Sequence, residues 1–156
     1  MIFNPKSFGA KADGSHDDTN AIQQAIDKAF FSGGGRIVLK NGVFLSGTIY
    51  LKSNISLEID ASACLLASPD INSYGSDTHH NRYRNEPELD RCFIFAENAD
   101  NIELCGNGII NGNAEFFPNS NNIYRPMMIR FLNCRNIRLH DLRLYNSAAW
   151  TTAFLD

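Results

Sequence analysis

No stretch of this chain approaches the roughly 18 to 20 consecutive apolar residues that a membrane-spanning helix needs. A basic surplus is missing too. The 14 Lys and Arg stand against 17 Asp and Glu, a net charge of -3, and this leaves no electrostatic footprint for nucleic acid. Arg82, Arg84 and Arg91 form a local basic stretch, but Asp77, Glu86, Glu88 and Asp90 interleave with it, which is the pattern of a solvated loop. Met1-Ile2-Phe3-Asn4-Pro5 has neither a cationic start nor an apolar run, so no signal peptide is visible. A soluble chain is expected, cytoplasmic as it stands unless an export signal has been removed. The cysteines Cys64, Cys92, Cys105 and Cys134 lack CxxC spacing and sit in apolar strings, so reduced core residues are expected rather than disulfides or metal ligands.

What is present is globular. The 156 residues, 44% hydrophobic and 20% charged, suffice for one domain with a real core. A single domain over 1–156 is expected, with a cap segment at 1–35 and repeated structure over 36–156. Asp17, Asp18 and Thr19 offer helix-capping oxygens, and Ala21, Ile22, Ala25, Ile26, Ala29 and Phe30 follow at helical spacing. Ser32-Gly33-Gly34-Gly35 ends that helix. Beyond it the period shortens. The strings Arg36–Leu39, Val43–Leu45, Thr48–Leu51, Ile55–Ile59 and Cys64–Leu66 are separated by Asn, Gly and Ser turns. Strands this short argue for an all-β chain, yet not for a sandwich of long hairpins.

A repeat decides between them. Asn98, Asn101, Ile102 and Leu104 recur as Asn133, Asn136, Ile137 and Leu139, an offset of roughly 35 residues that falls in the range of stacked-repeat architectures. In a parallel coil, inward residues stack on their equivalents about 4.8 Å away. Ile102 over Ile137 and Leu104 over Leu139 are the expected apolar ladders, and the asparagine pairs the polar ones. The pattern lapses over a long loop near 68–90, read as an ordered flap because of Tyr74, Tyr83 and its arginines, and again around Glu115–Tyr124. The segment Asn146–Asp156 reads as a rung cut off in mid-course. Open strand edges there predict self-association through the uncapped C-terminal rung.

These residues resemble a known family. Phe8-Gly9-Ala10-Lys11-Ala12-Asp13-Gly14, with Asp17-Asp18-Thr19 and Ala21–Ile26, is similar to the helical end-cap of pectate-lyase-like proteins. Ile102–Gly112, with Gly106 and Gly108, and Arg125–Trp150 narrow the resemblance to the N-terminal part of family 28 glycoside hydrolases, the polygalacturonase group. The resemblance implies a right-handed parallel β-helix with an N-terminal capping α-helix, truncated at its C-terminal end, with about four to six rungs. It also implies that the parent protein hydrolyses pectin-type, uronate-containing polysaccharide or oligosaccharide, with no cofactor and no metal. The family's catalytic motifs, Asn-Thr-Asp, Asp-Asp, Gly-His-Gly and Arg-Ile-Lys, have no match in place: Asp17-Asp18 lies at the helix cap, and Arg36-Ile37 continues with Val38. No catalytic residue is carried over, and the chain alone is expected to be inactive. A non-catalytic carbohydrate-binding or structural β-helix module is the alternative.

Hydrolysis with inversion needs two carboxyls roughly 6.5 to 9.5 Å apart. Asp141 and Asp156 come from adjacent rung-like segments, but Asp141 follows His140 at a turn, and Asp60 and Asp90 are likewise turn or loop residues. His79 and His80 with Asp77 lack the third ligand spacing of a metal site. Three residues are candidates for sugar binding. Trp150, the one tryptophan, either stacks on a pyranose or fills a rung. Arg125 either meets a uronate carboxylate bidentately or caps the Asn-rich loop before it. His80 lies on the flap.

Overall fold

A short apolar strand flanked by turns can hide its inner face only if the next turn of chain stacks on it. In the computed structural model, which describes residues 1–78, 90–117 and 125–155, the chain does this four times. Two short strands, β1 (Ile2–Phe3) and β2 (Asp13–Asp17), and the helix α1 (Thr19–Phe31) precede the coils. The first coil is β3 (Gly35–Leu39), β4 (Gly42–Ser46) and β5 (Ile49–Tyr50); the second is β6 (Ile55–Ile59), β7 (Ala63–Ala67) and β8 (Cys92–Glu97). The third is β9 (Asp100–Gly106), β10 (Ile109–Asn111) and β11 (Met127–Leu132), and the fourth is β12 (Arg135–Leu139), β13 (Arg143–Tyr145) and β14 (Thr152–Leu155). Every pairing among the described strands is parallel. The coils make three sheets, β1-β3-β6-β9-β12, β2-β4-β7-β10-β13 and β5-β8-β11-β14.

The register is that of stacked equivalents. Ile37 pairs with Leu57, Leu57 with Leu104, and Leu104 with Leu139, while Ile102 pairs with Ile137 as the repeat predicts. Leu65 lies between Phe44 and Ile110, and Ile94 between Ile49 and Ile129. These side chains form one continuous core, with Ile137 and Leu139 of the fourth coil packed against it and only partly buried. The repeat length needs correcting, however. A bare coil is roughly 20 residues, as Ile37 to Leu57 shows, within the shorter range of solenoid repeats. The 35-residue offset of Asn98 and Asn133 measures one coil plus the excursion between β10 and β11. An insertion at a corner leaves the pairing face untouched, so the longer spacing still aligned the correct partners.

The asparagines do form ladders. Asn101 donates its amide to the Asn54 side chain at 2.8 Å, and Asn136 donates to Asn101 at 2.6 Å. Asn133 likewise donates to Asn98 at 2.6 Å. All five residues have positive φ, where a short amide is better tolerated than most side chains. Asn101→Ala should cost about 2 kcal/mol, combining two lost amide bonds with a left-handed alanine, and Asn101→Gly about half as much because the backbone is then unstrained. Urea unfolding of the two variants measures the difference.

At the N-terminal end, α1 buries Ala21, Ile22, Ala25, Ile26 and Ala29 and closes the core. Phe30 departs from the expected apolar face. It is 38% exposed, with the Lys52 ammonium 5.2 Å from its ring centre. The capping also differs from expectation. Asp17 accepts from the Thr19 N–H at 2.8 Å, but the Asp18 side chain turns away from the helix to the Lys11 and Ala12 N–H groups. The thiols are free, as expected; Cys92 and Cys105 are buried, whereas Cys64 and Cys134 are only partly so. No helix among the described residues is long and apolar enough to cross a membrane.

Candidate functional site

Corners between strands reveal which side of the coil is elaborated. Passing from the first sheet to the second takes only Lys40-Asn41, Asp60–Ser62, Asn107-Gly108 or His140–Leu142. The corner from the second sheet to the third carries the long excursions, after β7 and after β10. Loops supported by a rigid scaffold are where binding and catalysis concentrate. The third sheet and its flanking loops are therefore the candidate site.

The two middle strands of that sheet, β8 and β11, are buried on both faces. Cys92, Phe95, Met127, Leu132 and Ala153 form a second apolar cluster, separate from the main core and joined by Tyr50, Ala149 and Leu155. One row of the sheet runs Tyr50, Phe95, Arg130, Ala153. Tyr50 and Phe95 meet edge to face at 6.0 Å. The start of the long loop is fastened across this row. The Tyr50 hydroxyl donates to Asp77 at 2.6 Å, and the buried Arg130 donates to the Thr78 carbonyl at 2.7 Å. Thr78 in turn donates to the Asp90 carbonyl at 2.7 Å. Gly75 leaves room at the crossing, since a Cβ there would lie 2.0 Å from the Tyr50 oxygen and 2.6 Å from the Asp77 carboxylate and would push that pair aside. Burial and the neighbouring Asp77 carboxylate raise the Tyr50 phenol above its ordinary range, so it remains a protonated donor.

Beside this fastening lies a hollow of about 390 Å³, lined by Tyr50, Lys52, Asp77, Phe95 and Glu97 among others. Lys52 forms an ion pair with Asp27 at 2.7 Å on its rim. Tyr50 is the half-buried aromatic of this hollow, and its rim carries charges of both signs. Sequence reasoning overlooked Tyr50, Lys52 and Glu97. Each belongs to a strand or its end, and only the stacking of coils brings them together with Asp77.

The sequence-derived candidates stand elsewhere on the same sheet. Arg125 precedes β11 and Trp150 precedes β14, so both sit where strands enter the sheet, whereas the hollow lies where β5 and β8 leave it. The two share a corner: Arg125 donates to the Ala148 carbonyl at 3.4 Å, and Trp150 is 46% exposed. His80, with His79 and Asp156, lies outside the described residues. Tyr74, read from sequence as part of a flap, is instead buried against Phe93 and Phe117, its hydroxyl donating to the Ser68 carbonyl at 2.7 Å. Asp60 is a turn carboxylate, held below its usual range by the Ser62 hydroxyl and N–H. Asp141 is on a left-handed turn after the first sheet, remote in the coil order from the third.

Known proteins share the coiled fold. The chain is 36% identical over 121 residues to the exo-poly-alpha-D-galacturonosidase of Dickeya chrysanthemi, an alignment covering 72% of this chain and 19% of that enzyme. It superposes on the family 28 exopolygalacturonase of Yersinia enterocolitica with a TM-score of 0.81 at 23% identity, covering 99% of this chain and 36% of that one. For the hyperthermoactive exopolygalacturonase of Thermotoga maritima the TM-score is 0.79 at 23% identity, with 96% and 43% covered. The chain thus spans from 19% to 43% of the length of these relatives. Its residues 2–128 match the family rhamnogalacturonase A/epimerase, pectate lyase-like, and the chain belongs to that family.

Proposed function

We propose that this chain is the N-terminal portion of a glycoside hydrolase acting on uronate-containing polysaccharide, and that it supplies the cap and one wall of the substrate groove. The observation that carries this reading is the 36% identity to an exo-poly-alpha-D-galacturonosidase, which extends over 72% of the chain. The third-sheet hollow supports it chemically: the half-buried Tyr50 ring lines it beside the Lys52 ammonium, which is held on the rim by Asp27. Arg125 and Trp150 extend the same wall toward the strand entrances.

The reacting carboxyl pair is assigned to coils beyond these. Asp77 is engaged by Tyr50, while Asp60 and Asp141 belong to turns at corners of the first sheet. Residues 1–156 incubated with polygalacturonate should therefore release no reducing ends above background. Oligogalacturonate should bind weakly, and Tyr50→Ala should weaken that binding at least fivefold. Turnover by the chain that disappears in Asp77→Asn or Asp141→Asn would overturn the assignment. Strong binding that is indifferent to Tyr50, Arg125 and Trp150 would remove the groove wall from this side.

A further inference from the structure

The outer face of the first sheet carries a cluster that the groove does not use. Ser56 and Glu103 are register partners, as are Glu58 and Cys105, so two coils present a row of polar side chains. Glu103 and Cys105 lie two apart on β9 and share a face. The fourth coil adds His140, whose N–H continues the ladder to the Leu104 carbonyl at 3.1 Å. A ring nitrogen of His140, a Glu103 carboxylate oxygen and the Cys105 sulfur all lie within 4.8 Å of one another.

The geometry points to a divalent metal site, of the zinc type, held by Glu103, Cys105 and His140. An imidazole, a carboxylate and a thiolate are the donor set zinc accepts, with bonds of about 2.0 to 2.3 Å. The orienting contacts of such a site are already built. Asp141 lies 2.8 Å from His140 Nδ1, which favours the tautomer that carries its proton there and directs Nε2 toward Glu103, 3.2 Å away. Ser56 donates to the other Glu103 oxygen at 2.6 Å, fixing the carboxylate.

Two features oppose binding. Burial raises the Cys105 thiol, so metal entry must expel its proton. Arg138 is the register partner of Glu103, and Arg36 is bound to Glu58 at 3.0 Å, so both cations stand on this face. Glu58, Glu103 and Asp141 outnumber them. The ligands come from two coils, so the metal would clip the third coil to the fourth and stabilise the folded chain only.

Cobalt(II) is the direct probe, because a cysteine ligand gives a thiolate-to-cobalt charge-transfer band. After chelator treatment, the full chain should bind one equivalent of Co²⁺ with that band, lose it on adding Zn²⁺, and melt at a higher temperature with Zn²⁺ than without. Cys105→Ser should abolish the band. His140→Gln, at an exposed position where folding is not at risk, should weaken Zn²⁺ binding at least tenfold, as should Asp141→Asn. Cys134→Ser should change neither. Absence of the band in the unaltered chain, its survival in Cys105→Ser, or Zn²⁺ affinity unmoved by His140→Gln would each overturn the site.

Discussion

Gly106→Ala should lower stability by on the order of 4 kcal/mol, the sum of a backbone term and a steric term of about 1 to 3 kcal/mol each. Gly106 ends β9 with φ of +113°, a conformation side chains other than glycine rarely adopt. A Cβ there would stand 2.0 Å from the Ile59 carbonyl oxygen and 2.7 Å from its carbon. That carbonyl cannot move aside, because it accepts the Gly108 N–H at 2.9 Å and its residue is the register partner of Gly106. Against a total of about 5 to 15 kcal/mol for a domain, the loss is a large share. Gly9→Ala separates the two terms: its φ is +100°, but nothing lies within 4 Å of the added carbon. It should cost only about 1 to 2 kcal/mol in urea unfolding. Equal losses in both variants would show that contact between coils is not the cause.

Asp18→Ala is expected to cost about 3 kcal/mol, the range for removing a charged acceptor from two backbone donors. Asp18 is 2% exposed, and its two oxygens accept from Lys11 N–H at 2.7 Å and Ala12 N–H at 2.9 Å. These bonds hold Ala12 at positive φ, and the Ala12 carbonyl accepts the Val43 N–H at 3.0 Å. The carboxylate thus joins the cap to the first coil. Asp18→Asn preserves shape but turns an amide donor toward one of the two N–H groups, so it should recover only part of the loss. Full recovery in the asparagine variant, measured by chemical unfolding, would mean that shape rather than charge and acceptor count fixes this loop.

Much of the molecule was legible in the chain. The helix was legible because its buried residues recur at helical spacing, and the strands because their apolar strings are bounded by residues that tolerate turns. The stacking of Asn98 with Asn133 and Ile102 with Ile137 was legible because neighbouring coils present the same side chain at the same depth. The true coil length was hidden, since excursions of unequal length separate otherwise regular strands. Asp18 was read as a helix cap from its position, but the direction of its side chain depends on Lys11 and Ala12 folding back over it.

Local preference settled that the polypeptide forms a helix and a succession of short strands, the repeat of Asn98 and Ile102 at Asn133 and Ile137 made those strands a parallel coil, and the family resemblance was read from the same sequence. Which side chains become neighbours was decided only by winding. Tyr50 reaches Asp77 and Phe95, and Glu103 and Cys105 reach His140, because a coil sets residues tens of positions apart one strand spacing from each other. The physical reason is that periodicity records how a segment buries its own face, whereas a site depends on the number of residues inserted at each corner, which no local pattern encodes.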